Sequence, residues 1–229
     1  AKIAQVPAML RSAQQSTNPV PAPILSPMPA AVLLPPEQLF KGQRSPIGPI
    51  VPESELMKPG PLPEMSLGKA DAKVTIVEYS SMTCPKCAEF NNQTFPALRK
   101  KYVEAGTLRY VRREFPMDNV AAAAAMLSRC AEADKRFALG DALFSRQQEW
   151  AQSSRSPLPL LRVIVNQFGI NDSAFDVCLS DQKLLDAVTQ LRERAAKEFG
   201  VATLPTFFIN GVRVTGEHDL AAFDAIITP

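Results

Sequence analysis

EYSSMTCPKC, residues 78–87, is the stretch of sequence that decides the fold. It contains two cysteines three positions apart, Cys84 and Cys87. The residues that lead into it, 74–79, are rich in β-branched and aromatic side chains and predict a strand. Behind it, apolar residues recur at helical spacing, namely Phe95, Leu98 and Tyr102. A strand followed by this pair and then by a helix places the first cysteine at a helix N-terminus.

That position has a chemical consequence for Cys84. Unpaired backbone N–H groups and the positive end of the helix dipole meet there, and both favour a thiolate over a thiol. Lys86 adds a positive charge between the sulfurs, and Pro85 suits the first helical turn because its missing N–H is not needed there. We therefore predict that Cys84 is an exposed nucleophile with a lowered pKa and that Cys87 is the resolving thiol.

A pair of this spacing also occurs in zinc sites and haem attachment sites. Zinc normally takes four ligands, and the other candidates, Cys130, Cys178 and His218, lack ligand spacing. Haem attachment needs a histidine directly after the second cysteine, where Ala88 stands. We expect no metal and no cofactor, and we interpret the pair as a redox dithiol. A copper-binding or partner-binding module that uses the same pair is the alternative from another class.

Residues 78–87 resemble the active-site segment of DsbA-like proteins, the thioredoxin-fold thiol–disulfide oxidoreductases of the bacterial cell envelope. Two further features carry this resemblance. Glu78 lies six residues before Cys84, where the family often has a buried acid, and TLPTFFING (203–211) is similar to the family's cis-proline strand and hairpin. The resemblance covers residues 66–229 and implies an α/β (α+β) thioredoxin-like fold with an inserted helical domain.

The resemblance also implies a role for Pro205. A cis bond after Leu204 would bring this segment beside Cys84 and leave the Leu204 backbone able to pair with an extended substrate. Leu204 departs from the valine or threonine that the family commonly has before this proline, which puts substrate preference in question. A trans proline at the start of a strand is the plainer interpretation.

Glu78 and Lys86 complete the candidate catalytic set with Cys84, Cys87 and Pro205. Glu78 is predicted to be buried below the pair, where a carboxyl group can exchange a proton with Cys87. The alternative for Glu78 is an edge-strand carboxylate that faces water. The alternative for Lys86 is a solvated surface charge, since exposed charges are screened.

Residues 1–65 differ in composition from the rest of the chain. Fourteen of the 21 prolines fall between Pro7 and Pro63, which favours an extended, proline-rich arm or linker. Its apolar groups leave two interpretations open, a flexible spacer and an arm that packs on the domain or on a partner chain. No heptad repeat is present, so a coiled-coil stalk is not expected.

The remaining pattern predicts strands at 73–79 and 108–115 as a parallel pair, because a helix connects them. Helices fill 117–199, one of them running through Cys130 and past Phe137. Strands return at 205–209 and 212–215 around Asn210-Gly211, a strong hairpin signal, and a helix covers 220–227. Arg112 and Arg113 point to alternate faces of their strand, with one of them expected in solvent, and no site is assigned to them or to His218.

Cys130 and Cys178 both lie in the helical block on apolar faces. They are interpreted either as buried free thiols or as a structural disulfide, and we prefer the disulfide because thiols pair in an oxidising compartment.

Composition bounds the function and the location. A net charge of +2 gives no reason to expect nucleic acid, and no apolar run spans a bilayer. We expect a periplasmic protein whose signal or anchor is absent from this chain. Its predicted function is to oxidise dithiols in unfolded or partly folded secreted proteins, with a membrane redox partner that recycles the pair. A disulfide isomerase or reductase of the same fold is the alternative, and the oligomeric state stays open.

Overall fold

The structure is a computed structural model that describes residues 50–152, 156–216 and 219–227. The predictions for residues 1–49 and for His218 fall outside these ranges. No helix in the described ranges is long and apolar enough to cross a membrane.

Five strands of the described chain form one sheet in the order β1-β3-β2-β4-β5. They are β1 (Met65–Leu67), β2 (Val74–Ser80), β3 (Leu108–Glu114), β4 (Thr206–Ile209) and β5 (Val212–Thr215). β2 and β3 are parallel, as predicted, and the other neighbouring pairs are antiparallel. The parallel pair therefore forms the centre of the sheet.

Both faces of the central strands are covered, which corrects the expectation for the two arginines. Ile76 and Tyr110 pack on one side of the sheet, and Val77 and Val111 pack on the other. Parallel strands are normally buried on both faces. The side chains on alternate faces of β3 are consequently both inside, and Arg112 and Arg113 are only 1% and 3% exposed.

The helix that follows the cysteine pair is irregular. It begins as α2 (Pro85–Glu89), passes through a π-helical stretch at Phe90–Thr94, continues as α3 (Phe95–Leu98) and ends in a second π-helical stretch at Arg99–Val103. Pro96 lies in the first turn of α3, where the preceding π-helical turn has already changed the hydrogen-bond pattern. The helix therefore continues past the proline.

Six helices of the described chain lie between β3 and β4. They are α4 (Asn119–Cys130), α5 (Arg136–Ser145), α6 (Gln147–Trp150), α7 (Leu158–Asn166), α8 (Asp172–Leu179) and α9 (Gln182–Phe199). The N-terminal caps of α4, α8 and α9 are Asp118, Asn171 and Asp181. This block is the predicted helical insertion.

The prediction of one helix through Cys130 and past Phe137 is wrong. Ala131 has an extended backbone, with φ −67° and ψ 156°, so α4 ends before it. Its carbonyl oxygen accepts a hydrogen bond from the Arg136 guanidinium, 3.1 Å away. A side chain thus satisfies the group that a continuing helix would have paired.

The chain closes with the predicted hairpin and with α10 (Leu220–Ile227). Asn210 and Gly211 connect β4 to β5 with φ of 48° and 84°, the left-handed values that a tight hairpin turn of this kind requires. The side-chain oxygen of Asn210 accepts a hydrogen bond from the Thr75 N–H at 2.8 Å. A Cβ at position 211 would lie 2.2 Å from the carbonyl oxygen of Val51, so only glycine fits there.

The segment before β1 packs on the domain, including α1 (Glu53–Leu56). Val51 and Leu56 are buried in the cluster that contains Val77 and Phe208. The packed chain therefore starts before the expected boundary at residues 65/66, because these apolar side chains cover one face of the sheet.

Three arginines hold this segment through its backbone carbonyls. Arg113 donates to Leu56 O at 2.8 Å and also pairs with the Glu64 carboxylate. Arg129, which is paired with Glu114, donates to Pro63 O. Arg194 of α9 donates to the carbonyl oxygens of Glu55 and Lys58, at 3.1 and 2.9 Å. We refer to residues 51–64 as the strap.

Candidate active site

Cys84 is the N-terminal cap of α2, with an extended backbone at φ −76° and ψ 117°. Its sulfur accepts a hydrogen bond from the backbone N–H of Cys87, with 3.3 Å between nitrogen and Sγ. Both cysteines are free thiols, and Cys84 is 5% exposed while Cys87 is fully buried. Cys84 is therefore the sulfur nearer to solvent, although it is less exposed than the sequence suggested.

The two thiols differ in acidity. The Cys87 thiol donates a hydrogen bond to Cys84 and lowers the pKa of Cys84 to about 7, and the backbone N–H groups of Cys87 and Lys86 act in the same direction. Burial and the charge of Glu78 oppose this effect. Burial, followed by the interactions with Cys84, raises the pKa of Cys87. One sulfur therefore ionises near neutral pH while its neighbour keeps its proton.

Lys86 contributes to the site through its backbone. Its ammonium nitrogen lies 3.1 Å from the Glu89 carboxylate, and its side chain is 54% exposed. A pair so exposed is screened by water and holds the charge at the surface. The group of Lys86 that stabilises the Cys84 thiolate is its N–H.

The segment around Pro205 lies beside Cys84. The Leu204–Pro205 peptide bond is cis. The Cys84 thiol donates to the carbonyl oxygen of Leu204, with Sγ 3.9 Å from it. The structure therefore brings together the cysteine pair and the cis-proline loop, which are about 120 residues apart in the sequence.

Glu78 is fully buried in β2. Its Oε2 accepts hydrogen bonds from the Tyr110 hydroxyl at 2.6 Å and from Arg112 Nε at 3.2 Å. Its Oε1 has no hydrogen-bond partner among the described residues. The same Arg112 guanidinium donates to Asn91 at 2.6 Å and to Asp141 at 3.0 Å. The carboxylate is thus part of a buried polar network, with one oxygen left over.

Arg112 is a site residue that the sequence analysis missed. Burial disfavours its charge, but the carboxylates of Glu78 and Asp141 outweigh burial and raise the pKa of Arg112. Its guanidinium also lies over aromatic rings, those of Phe95, Phe137 and Phe144. The available signal was the parallel pairing of β2 and β3, in which Glu78 stands opposite Arg112.

A disulfide joins Cys130 at the end of α4 to Cys178 in α8, with an S–S distance of 2.05 Å. It closes a span of 48 residues within the helical insertion. The described residues contain no group of three or more histidine, cysteine, aspartate or glutamate side chains that could hold a metal ion.

Comparisons with known proteins show the family to which this chain belongs. The family model described as Thioredoxin matches residues 62–228. The crystal structure of Wolbachia pipientis α-DsbA1 is 31% identical, with a TM-score of 0.70, and the match covers 76% of this chain and 92% of that one. This chain belongs to the DsbA-like group of the thioredoxin family.

Two curated relatives are longer than this chain. Putative protein-disulfide oxidoreductases of Rickettsia bellii and Rickettsia typhi are 33% and 34% identical over 168 and 154 residues. The matches cover 72% and 66% of this chain but only 63% and 56% of theirs. The DsbA-like domain therefore spans about three fifths of the length of these relatives.

A more distant solved structure shares the fold alone. Oxidised BdbD of Bacillus subtilis is 21% identical, with a TM-score of 0.64 and coverage of 72% of this chain and 90% of that one. The predicted thioredoxin-like fold with a helical insertion is thereby confirmed.

Proposed function

We propose that this protein is a thiol–disulfide oxidoreductase that oxidises pairs of cysteine thiols in other proteins. The observation that carries the proposal is the contrast between the two sulfurs, because Cys84 has a pKa of about 7 next to the buried, weakly acidic Cys87. A stabilised thiolate is a good leaving group, and its stability favours the reduced form of the pair. A pair with this property accepts electrons from substrate thiols.

The reaction begins with a disulfide between Cys84 and Cys87. A substrate thiolate attacks Cys84 Sγ, the bond between the two enzyme sulfurs breaks, and Cys87 leaves and takes up a proton. A second substrate thiolate then attacks the substrate sulfur of the mixed disulfide and releases Cys84 as a thiolate. The substrate has lost two electrons and gained a disulfide, and the enzyme pair has been reduced to the Cys84 thiolate and the Cys87 thiol.

Leu204 and Pro205 are proposed to hold the substrate. Their loop lies against Cys84, and an extended chain that pairs with the backbone of Leu204 would place its own cysteine at Sγ. Glu78 is proposed to exchange the proton of Cys87, since its charge raises the pKa of that thiol and its Oε1 has no hydrogen-bond partner in the described part of the chain.

The proposed location is the bacterial envelope, and the proposed substrates are unfolded or partly folded secreted proteins with free cysteines. The Cys130–Cys178 disulfide supports an oxidising compartment, where such bonds form and persist. Each cycle leaves the pair reduced, so a membrane redox partner is proposed to accept its two electrons.

The test is direct oxidation of a reduced, unfolded substrate with two cysteines by a stoichiometric amount of the oxidised protein. We expect the substrate disulfide to form while the enzyme pair becomes reduced. Cys84→Ala and Cys87→Ala should each abolish this transfer, because neither variant can form the disulfide that is passed to the substrate. Activity that is confined to scrambled disulfides would identify an isomerase instead, and tight copper binding without turnover would identify a binding module.

A further inference from the structure

Gln147 connects the helical insertion to the backbone of the cysteine pair. It is the first residue of α6 and is only 2% exposed. Its side-chain nitrogen, Nε2, donates to the carbonyl oxygens of Met82 and Cys84, each at 2.9 Å. An amide nitrogen has two hydrogens, so both are used on the loop that leads into α2.

These two hydrogen bonds add to others that hold Cys84. The N–H of Cys84 donates to Ser81 O at 3.1 Å, and the carbonyl oxygen of Cys84 also accepts from the N–H of Ala88 at 3.1 Å. Both backbone groups of the residue are therefore fixed. The direction in which Sγ points depends on this backbone, and Sγ lies 3.3 Å from the Cys87 nitrogen.

The position of Gln147 is itself fixed by packing. Trp150, in the same short helix, is 1% exposed and donates from its indole nitrogen to Leu143 O at 2.9 Å. A buried amide is stable only when its polar atoms are paired. Because α6 is anchored in the core of the insertion, Gln147 transmits that rigidity to the loop before α2.

We infer that Gln147 is a positioning residue for thiol–disulfide exchange, which holds the Cys84 backbone so that the N–H groups of Lys86 and Cys87 point at Sγ. The inference rests on the proposed function, because it concerns the same sulfur. Through Gln147, the helical insertion takes part in the chemistry of the cysteine pair, which lies between the insertion and the sheet.

The test compares Gln147→Met with Gln148→Met in the full chain. Methionine is close to glutamine in size and cannot donate, and Gln148 is the exposed neighbour in the same helix. The rate of iodoacetamide alkylation of Cys84 is measured against pH in the reduced proteins by mass spectrometry. Trypsin cleaves after Lys86, which places Cys84 and Cys87 on separate peptides.

Wild type and Gln148→Met should show a midpoint near pH 7. Gln147→Met should raise the midpoint by about one unit, a tenfold loss of thiolate at pH values well below it. At a pH above both midpoints, the equilibrium with glutathione should move about tenfold toward the oxidised form of the pair, since the reduced form loses about one pKa unit of thiolate stabilisation.

An unchanged midpoint in a folded Gln147→Met protein overturns the inference and leaves the proposed function intact. A midpoint near that of a free cysteine in the wild type overturns the proposed function itself. Cooperative unfolding is the sign that the Gln147→Met protein is folded. If it is absent, Gln147→Asn is tested instead, because the shorter amide cannot reach both carbonyls. The same upward shift is then expected, and its absence overturns the inference.

Discussion

Glu78 and Arg112 face each other on adjacent parallel strands, with Oε2 and Nε 3.2 Å apart and both side chains almost completely buried. Two charges in such a position stabilise each other only as a pair, because each is cut off from water. The charge of Glu78 also raises the pKa of both reactive sulfurs. Loss of the Glu78–Arg112 ion pair should therefore change both the stability of the fold and the acidity of the cysteines.

Removal of Arg112 should destabilise the fold strongly. Arg112→Met leaves the Glu78 carboxylate buried without its cation, and we expect the free energy of unfolding to fall by about 3–5 kcal/mol. Urea denaturation followed by circular dichroism measures the change. Arg109→Met is the matched control, since Arg109 lies on the same strand but is only partly buried and forms no ion pair with another described residue.

The double variant Glu78→Gln/Arg112→Met should recover part of that loss, because it removes both charges. A double variant that is less stable than the sum of its single changes would contradict the pairing. The single variant Glu78→Gln should also lower the pKa of Cys84, since the charge of Glu78 raises it.

The stability of the reduced protein should depend on pH between 7 and 9. The folded pKa of Cys84, about 7, lies below its ordinary value of 9.0, so its contribution is present above pH 9 and is lost as pH falls through 7. We expect the reduced protein to gain up to about 2 kcal/mol relative to the oxidised protein between these values. The contribution of Cys87 to this pH dependence has the opposite sign. Its pKa is raised in the folded protein, so the folded state loses stability relative to the unfolded chain once the unfolded Cys87 thiol ionises.

Guanidinium denaturation at several pH values measures this difference. The reduced sample is prepared by mild reduction with glutathione, and its mass must show that the Cys130–Cys178 disulfide is intact. Cys84→Ser should remove the rise between pH 7 and 9. A reduced wild type whose stability is flat across this range would contradict the lowered pKa.

Replacement of the Lys86 charge should change the pKa of Cys84 only slightly. The ammonium group is paired with Glu89 at the surface, so Lys86→Gln is expected to raise the pKa of Cys84 by less than about half a unit. The pH dependence of Cys84 alkylation measures it, with the exposed Lys100→Gln as the control. A rise of a full unit would show that the charge reaches the sulfur and that the backbone N–H is not the main contribution of this residue.

Loss of the second disulfide should weaken the helical insertion. Cys130→Ala/Cys178→Ala opens a loop of 48 residues, and we expect a loss of about 2–4 kcal/mol in the free energy of unfolding. Denaturant titration of the oxidised proteins measures it. The oxidation of a dithiol substrate should persist in this variant, because the proposed reaction uses only Cys84 and Cys87; complete loss of activity with the fold intact would assign these cysteines to the reaction.

Local signals predicted much of the fold. The cysteine pair after a strand, the Asn210-Gly211 turn and the spacing of apolar residues are properties of short segments, and the structure has the corresponding elements at nearly the predicted bounds. The helix break at Ala131 was missed because it depends on a contact with Arg136. For residues 51–64 the sequence left two interpretations open, because proline content indicates extended backbone and does not show which surface Val51 and Leu56 cover.

The residues of the candidate site also fall into two groups, those that belong to local motifs and those that only tertiary packing brings to the site. Cys84, Cys87 and Pro205 belong to recognisable motifs. The role of Arg112 could be recognised only from the strand register, since the alignment of β2 with β3 is what places it opposite Glu78. Gln147 belongs to no motif, and its two hydrogen bonds exist because α6 packs where it does.

The strap has a practical consequence for anyone who prepares a shortened form of this protein. A chain cut at residue 65, where composition changes, would deprive Arg113, Arg129 and Arg194 of the carbonyl oxygens that they bind and would uncover the sheet under Leu56. Such a fragment would expose the apolar surface that Val51 and Leu56 cover, and exposed apolar surface of this kind promotes aggregation. A truncated version should therefore begin no later than Ile50.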